Sequence, residues 1–360
     1  MTRPARALID LRALRHNLNR AREAASGARV MAVVKANAYG HGLLPVARAL
    51  GEADAFGVAK LDEGLSLRTA GVTAPVVLLS GVESNQDLQE ARGQQLDIVV
   101  HSEHQIAMIE GAPSGPRLKA WLKLDTGMHR LGFPAAVLQR NYARLSRCAT
   151  VIESVLLMTH LADADVPQSQ RVAEQIAAFE AETRGMSAER SIANSGGLLG
   201  WAEARADWVR PGIMLYGISP FAGGSGAEHG LVPAMSVDTR LIAVNQVERG
   251  DRIGYGGTYV CEQPMRIGVA AIGYGDGYPR HAPSGTPVLV DGVRCPLAGR
   301  VSMDLITIDL RPNPEAKAGD RVVLWGPGLP AEEVAAHVGT IAYELVCRMA
   351  PRVNYAEIDG

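Results

Sequence analysis

The sequence predicts an α/β protein: a (β/α)8 barrel followed by a second, mostly antiparallel β domain. Three observations predict it. Short β-branched apolar runs alternate with longer amphipathic runs over residues 1–230. The apolar runs number eight, and strands buried on both faces between helices form parallel sheets. From residue 231 the texture changes to strand-like segments punctuated by Gly, Pro and Asp, with no long helical period, as in an antiparallel domain.

The barrel strands, in order, are expected at Val30–Val34, Ala55–Val58, Pro75–Leu79, Leu96–Val100, Leu118–Leu124, Val155–Thr159, Ser191–Ala193 and Trp208–Val209. Helical patterns run from Pro134 to Cys148 and from Pro167 to Arg184, the latter with Val172, Ile176 and Phe179 at helical spacing. An open, doubly wound sheet is the competing reading, because the last two runs are short. Ala222–Gly230 reads as a linker. Beyond it, strand-like segments fall at Met235–Val247, Met265–Ile272, Pro287–Val290, Leu305–Leu310 and Arg321–Trp325, and helical pattern returns at Ala331–Val338 and Tyr343–Met349. The domain boundaries are therefore placed at 1–230 and 231–360.

Composition narrows the function. Thirty-six Lys and Arg against 38 Asp and Glu leave a net charge of −2, without the basic excess of a nucleic-acid binder. No apolar stretch is long enough to span a bilayer, and charged residues follow the amino terminus before any secretory apolar core develops. The four cysteines are scattered without a C-x-x-C pair, which reads as reduced thiols in a cytoplasmic protein.

Barrel enzymes work at the carboxyl ends of their strands, so the residues just past each run are the ones to weigh. The first run ends in Lys35, with apolar residues before it and Ala-Asn-Ala-Tyr39-Gly-His-Gly42 after it. A solvated lysine opening a loop is the ordinary reading of such an end. Against apolar walls, however, the amine loses hydration and becomes nucleophilic, as a Schiff base to a carbonyl cofactor requires. The fifth run ends Lys123-Leu-Asp125-Thr-Gly-Met-His-Arg130, where the Gly turn aims Arg130 across the mouth or merely closes a surface ion-pair loop. His160 ends the sixth run, with Asp163 and Asp165 behind it. No second well-spaced histidine supports a metal site there, and none is expected. Asn194-Ser195-Gly-Gly and Arg210-Pro-Gly212-Ile213 end the seventh and eighth runs, where such barrels build phosphate sites. A phosphate-bearing carbonyl cofactor near Lys35 fits both ends of this mouth, and pyridoxal phosphate is the obvious candidate. In the second domain, Gly254-Tyr255-Gly-Gly-Thr-Tyr259 and Gly273-Tyr274-Gly-Asp-Gly-Tyr278 are weak nucleotide-fingerprint matches, because neither opens a helix. The glycines read better as a bent loop that projects Tyr255.

Taken in order, Val33-Val-Lys35-Ala-Asn-Ala-Tyr39-Gly-His-Gly42, Lys123-Leu-Asp-Thr-Gly-Met-His-Arg130, Arg210-Pro-Gly-Ile-Met-Leu-Tyr-Gly, Gly254-Tyr-Gly-Gly-Thr-Tyr and Gly299-Arg-Val-Ser-Met303-Asp304 resemble the motifs of the bacterial alanine racemases, over essentially the whole chain. The resemblance implies a pyridoxal-phosphate enzyme that interconverts L- and D-alanine with two bases, supplies D-alanine for peptidoglycan, and forms a homodimer with shared active sites. It implies that Lys35 carries the cofactor and is the base on the D side. Tyr255, from the partner, is the base on the L side. Arg210 faces the pyridine nitrogen, and His160 links it to Tyr255. Tyr39, Ser195, Gly212 and Ile213 hold the phosphate. Arg130 and Met303 meet the substrate carboxylate, Lys123 matches a position often carbamylated, and Asp165, Tyr274 and Arg280 line the entry corridor. Adjacent cations would help the tyrosine act as a base, and His160 and Arg210 are the candidates. Two positions depart from the pattern: Pro351 replaces an aromatic phosphate contact before Arg352-Val353, and Ser191 stands where some relatives carry a histidine that supports Arg210. A broad-specificity or serine-preferring racemase is the alternative; a catalytically silent cofactor-binding barrel and a fold-related decarboxylase fit less well, the first because it would lack the second domain.

Overall fold

A computed structural model describes residues 4–152 and 154–359; Met1–Arg3, part of the charged amino terminus weighed above, lie outside them. Strand β1 (Arg6–Asp10) precedes an amphipathic helix, Leu11–Ala25. Asp10 caps that helix by accepting from the backbone N–H groups of Arg12 and Ala13, which satisfies donors a helix start would otherwise leave open. Leu14, Leu18 and Ala21 form its buried face.

Eight parallel strands then close a barrel: β2 (Arg29–Val33), β3 (Ala55–Val58), β4 (Val76–Leu78), β5 (Asp97–Val100), β6 (Ala120–Lys123), β7 (Leu156–Met158), β8 (Arg190–Ser191) and β9 (Trp208–Val209). The pairing of β9 with β2, Arg29 opposite Trp208 and Val30 opposite Val209, closes the ring and excludes the open sheet. Short terminal strands suffice because closure needs only this pairing. The second and eighth expected runs match their strands, and the third to sixth overshoot by one or two residues because a run stays apolar while the chain is still buried beyond the last ladder bond. The first and seventh begin one residue late and end one or two residues late. The lumen is a packed core, as such barrels require. Met31, Val77, Val99, Trp121, Leu156 and Trp208 fill it, with Trp121 edge-on to Trp208 at 5.5 Å between ring centroids. A filled lumen leaves room for ligands only beyond the strand ends.

The second sheet contains β10 (Met235–Val247), β13 (Met265–Ala270), β14 (Pro287–Val290), β15 (Val293–Pro296), β16 (Ile306–Asp309), β17 (Arg321–Trp325) and β18 (Asn354–Ile358), beside a small ribbon of β11 (Arg252–Ile253) and β12 (Tyr259–Val260). Its pairings are antiparallel apart from one, β1 with β18. The thirteen-residue β10 is the spine: it pairs β1 and β17 along its first half and β13 along its second, with a bulge at Leu241/Ala243. Strand β1 is a correction to the reading of residues 1–230 as barrel alone. Its alternating burial suits a strand with one half-exposed face, and it lies between β10, which it pairs antiparallel from Arg6–Asp238 to Ile9–Met235, and β18, which it pairs parallel. The linker is also tied down: the Glu332 carboxylate accepts from the backbone N–H groups of Ser219 and Gly226, at 2.9 and 2.8 Å.

Candidate active site at the barrel mouth

The carboxyl ends of the strands converge on a cavity of about 600 Å3 lined by Lys35, Tyr39, Lys123, Arg130, His160, Ser195, Arg210, Gly212 and Ile213. Nine residues singled out from the sequence thus meet in one place. Tyr255 and Met303 do not join them.

Lys35 sits two residues past β2 at the entry to an unusual turn. Ala36, Asn37, Ala38 and Tyr39 all have φ between 52° and 54°, one left-handed turn made of non-glycine residues. Each such residue costs roughly 1–2 kcal/mol, so the turn needs holding. The Glu63 carboxylate accepts from the Ala36 N–H at 2.6 Å, the Asn37 side chain accepts from the Leu43 N–H at 2.8 Å, and the Tyr216 hydroxyl donates to the Val33 carbonyl at 3.0 Å. The turn places the Tyr39 ring against Tyr216, 4.8 Å between centroids, with its hydroxyl over Gly212. A Cβ at Gly212 would lie 2.5 Å from that hydroxyl, so any side chain there must push the Tyr39 ring back. Ser195 Oγ accepts from the N–H groups of Gly212 and Met214, at 2.8 and 3.4 Å, which ties the ends of β8 and β9 into one small-residue cradle.

Arg210 is 4 % exposed and has no carboxylate partner among the described residues. One terminal nitrogen donates to Ser191 Oγ, and the other to the carbonyls of Thr159 and Ile192, at 2.6 and 3.1 Å, and to His160 Nδ1 at 3.4 Å. Ser191, held in turn by its own bond to the Trp208 carbonyl, gives Arg210 the support left open at that departure. Among the described residues no bond engages Arg210 Nε, so that donor is left for the cavity. Burial lowers the guanidinium pKa to about 10, which still leaves it charged.

Burial first, and then the cations gathered at this mouth, shift the neighbouring groups. Burial, then Arg210 and Arg130, lower the Lys123 amine to about 8. Burial and Arg130 lower Lys35 against the opposing pull of Glu63. Burial and the surrounding cations hold His160 well below the usual histidine range. His160 is therefore neutral, and this corrects its expected role as a cation: the charge in that pair belongs to Arg210. The Nδ1 contact with Arg210, which can only donate, favours the tautomer with the ring proton on Nε2. Asp125 closes the loop before Arg130 by accepting from the N–H groups of Gly127 and His129, at 2.9 and 3.1 Å. Asp163 pairs with Arg171, and among the described residues no cluster of His, Cys, Asp or Glu is arranged to hold a metal ion.

Sequence reasoning missed Thr159, Tyr216 and Tyr343. Tyr343 lines the cavity and lies 6.1 Å from Tyr39 between ring centroids, so a phenol stands at this wall although Pro351 replaces the aromatic residue. The only sequence signal was its place at the head of a helical run. A second cavity, of about 820 Å3, shares His160, Asn194 and Tyr343 with the first and passes Asp165.

Tyr255, Tyr274 and Met303 all belong to the second domain and face outward, 68 %, 39 % and 53 % exposed. Tyr255 rides a single 3-10 turn between Gly254 and Gly256, whose φ values of 70° and 74° need glycine. Arg280 lies over the Tyr274 ring at 5.9 Å. Arg352 donates to the Met303 carbonyl at 3.3 Å and to the Asp304 carboxylate at 2.8 Å.

Fold and site together define a two-domain barrel enzyme with a mouth lysine, an uncompensated arginine and a small-residue cradle suited to a phosphorylated carbonyl cofactor. Family models for the alanine racemase N-terminal and C-terminal domains match residues 9–220 and 234–356, and the chain belongs to the alanine racemases, pyridoxal-phosphate-dependent isomerases. The alanine racemase of Nitrosococcus oceani is 53 % identical over 350 residues, 96 % of this chain and 97 % of that protein. The crystal structure of the biosynthetic alanine racemase from Pseudomonas aeruginosa superposes with a TM-score of 0.97 at 44 % identity, covering 99 % of this chain and 100 % of that one. The alanine racemase of Bartonella henselae with covalently bound pyridoxal phosphate does so with a TM-score of 0.88 at 27 % identity, covering 99 % of each. These relatives are all alanine racemases, which does not favour the serine-preferring alternative.

Proposed function

We propose that this chain racemises alanine as a cytoplasmic homodimer, with pyridoxal phosphate held at Lys35 and one catalytic base from each subunit. The observation that carries the reading is the pairing, in one mouth, of a pKa-lowered Lys35 with an Arg210 whose terminal nitrogens are fixed by neutral acceptors and whose Nε is left to the cavity. The residues present fit the cofactor: the Gly212 cradle has no room for a side chain unless the Tyr39 ring retreats, and the lining carries four basic groups ready for a phosphate and a carboxylate. When bound, pyridoxal phosphate delocalises the electron pair left on Cα as the proton departs.

The chain's own residues do the rest. Tyr39, Ser195, Gly212 and Ile213 hold the phosphate. Arg210, which stays protonated, would face the pyridine nitrogen as a donor and so would not supply it with a proton acceptor. Arg130 and the partner's Met303 amide orient the substrate carboxylate. The Lys35 amine, its pKa lowered by burial and by Arg130, moves the proton on the D face. The Tyr255 phenol of the other subunit moves it on the L face, aided by His160 Nε2–H, which can donate to the phenolic oxygen while Arg210 supplies the charge behind it. The exposure of Tyr255, and its place outside the lining of its own chain's cavity, support a site completed by a partner. Lys123, with its pKa near 8, has a fraction of free amine able to take up carbon dioxide as a carbamate beside Arg130. Asp165, Tyr274 and Arg280 line the way in, and D-alanine is supplied for peptidoglycan.

The test combines borohydride reduction with racemisation of L- and D-alanine. A pyridoxyl adduct on Lys35 together with alanine racemisation is expected; an unmodified Lys35 would refute the assignment.

A further inference from the structure

We propose that Gln175 is a positioning residue that locks the loop carrying Arg130 and the loop carrying His160 into one frame. The inference rests on the reading of this mouth as a racemase site. Gln175 lies on the helix Gln170–Thr183, outside the cavity lining, and is 1 % exposed. A glutamine that deeply buried, on a face shared with Val172, Ile176 and Phe179, must find partners for its amide or destabilise the fold.

Its amide makes three bonds, and every one goes to one of the two loops. Oε1 accepts from the Ala162 N–H at 2.8 Å. Nε2 donates to the His160 carbonyl at 3.1 Å and to Thr126 Oγ1 at 3.2 Å. The orientation is unambiguous, because a flipped amide would set oxygen against the His160 carbonyl and nitrogen against the Ala162 N–H. Since Nε2 donates to Thr126, the Thr126 hydroxyl can pass its own proton on to Thr159 Oγ1, 2.8 Å away, and the Thr159 carbonyl is what anchors Arg210. One side chain thus connects the Thr126–Arg130 turn, the His160 backbone and the anchor of Arg210, without touching the cavity. One turn earlier on the same helix, Arg171 repeats the pattern, donating to the Gly127 carbonyl at 3.0 Å and to Asp163 at 3.1 Å. Two residues of one helix face therefore bridge the same two loops, which is what a frame for two catalytic groups requires; displacement by about 1 Å can cost on the order of a hundredfold in rate.

The test is kinetic, on the holoenzyme. Gln175→Met keeps the volume and the apolar packing and deletes all three bonds. It is expected to retain full cofactor loading by absorbance and to lose at least tenfold in kcat/KM for alanine. Ile176→Val, on the same helix and also buried, is the packing control and should stay within about threefold of the parent at a comparable loss of Tm. Gln175→Glu supplies a readout that a purely structural role would not move. Its carboxylate still accepts from Ala162 but cannot donate to the His160 carbonyl, whereas its protonated form can donate once. The ratio of Gln175→Glu to parent activity should therefore rise as pH falls from 8 to 6. Parent-like kcat/KM in Gln175→Met, an equal loss in Ile176→Val, or a flat Gln175→Glu ratio overturns the proposal while leaving the racemase reading intact. A parent chain that fails to racemise alanine removes that reading first, and this inference with it.

Discussion

Gly212→Ala is the sharpest test of the phosphate cradle. The added Cβ would lie 2.5 Å from Tyr39 Oη and 3.1 Å from Cζ. Ordinary contact begins near 3.4 Å, so the ring must retreat by about 0.9 Å, a displacement of the size that misplaces a bound group. Retreat is resisted on two sides. Tyr39 stacks on Tyr216 at 4.8 Å and faces Tyr343 at 6.1 Å, and its backbone belongs to the left-handed turn. Overpacking of this kind costs about 1–3 kcal/mol. Because the displaced hydroxyl is one of the proposed phosphate contacts, we expect most of that cost to fall on cofactor affinity, about a 10- to 100-fold rise in Kd at 1.4 kcal/mol per factor of ten. The assay is titration of cofactor-free protein with pyridoxal phosphate, followed by absorbance. Gly93→Ala is the control: a Cβ there meets nothing within 4 Å, and its placement on a helix predicts an unchanged Kd with neutral or slightly raised stability. A Gly212→Ala protein that binds the cofactor with parental affinity would show that Tyr39 and Gly212 do not form the phosphate cradle.

Other outcomes follow from the same geometry. Tyr255→Phe should lower racemisation by about 10²–10⁴, the usual contribution of a positioned acid or base. Solvent-deuterium exchange at Cα should persist with D-alanine, where Lys35 acts, and fall with L-alanine; mass spectrometry of both enantiomers checks this, and equal exchange from each would reassign the bases. Lys123 gives a pH dependence. Its amine titrates near 8 in the folded chain against an ordinary 10.5, so between those values the unfolded chain binds a proton that the folded chain does not. Its contribution therefore makes stability rise with pH through that window. Urea unfolding of the cofactor-free protein from pH 8 to 10.5 should show a shallower rise in Lys123→Met, which should also lack the carbamate resonance expected of the parent in ¹³C-bicarbonate.

Much of this architecture was legible because barrel strands are written as apolar runs whose ends carry the chemistry. Ala55–Val58, Trp208–Val209 and β10 match their expected spans to the residue. What escaped had no local signature. Strand β1 is five residues, Arg-Ala-Leu-Ile-Asp, with no polar–apolar alternation to announce its alternating burial, and only its distant partners in β10 and β18 make it a strand. The left-handed turn after Lys35 is invisible for a related reason: Ala36 and Ala38 have no preference for positive φ, so tertiary bonds from Glu63 and Tyr216 impose it. Residues that lean on other site residues, such as Thr159, Ser191 and Gln175, carry ordinary identities, and their roles exist only once separate strand ends are brought together. His160 lies at the cavity where its place after the sixth run puts it, but its neutrality follows from its burial and then from the cations around it, neither of which the local sequence shows.

That charge balance is also the reason the site should be unfinished without its ligands. Lys35, Lys123, Arg130 and Arg210 line one cavity, Arg210 is bonded to neutral acceptors only, and the Glu63 carboxylate is committed to the N–H groups of Ala36 and Ala59. Bringing like charges together in a partly desolvated mouth disfavours the folded state, and burial first, then this repulsion, lowers the pKa values of the two lysines. A phosphate and a carboxylate relieve it, so anions should stabilise the folded chain in proportion to RT ln(1 + [L]/Kd). Inorganic phosphate, added to cofactor-free protein at a hundred times its Kd, should stabilise by about 2.7 kcal/mol and raise Tm, whereas chloride at equal ionic strength should do much less. The effect should shrink in Gly212→Ala and persist in Tyr255→Phe, since only the first disturbs the cradle. If phosphate raises Tm no more than chloride does, the cations at this mouth are compensated in a way the observed bonds do not account for, and the electrostatic explanation of the neutral His160 and the reactive Lys35 fails with it.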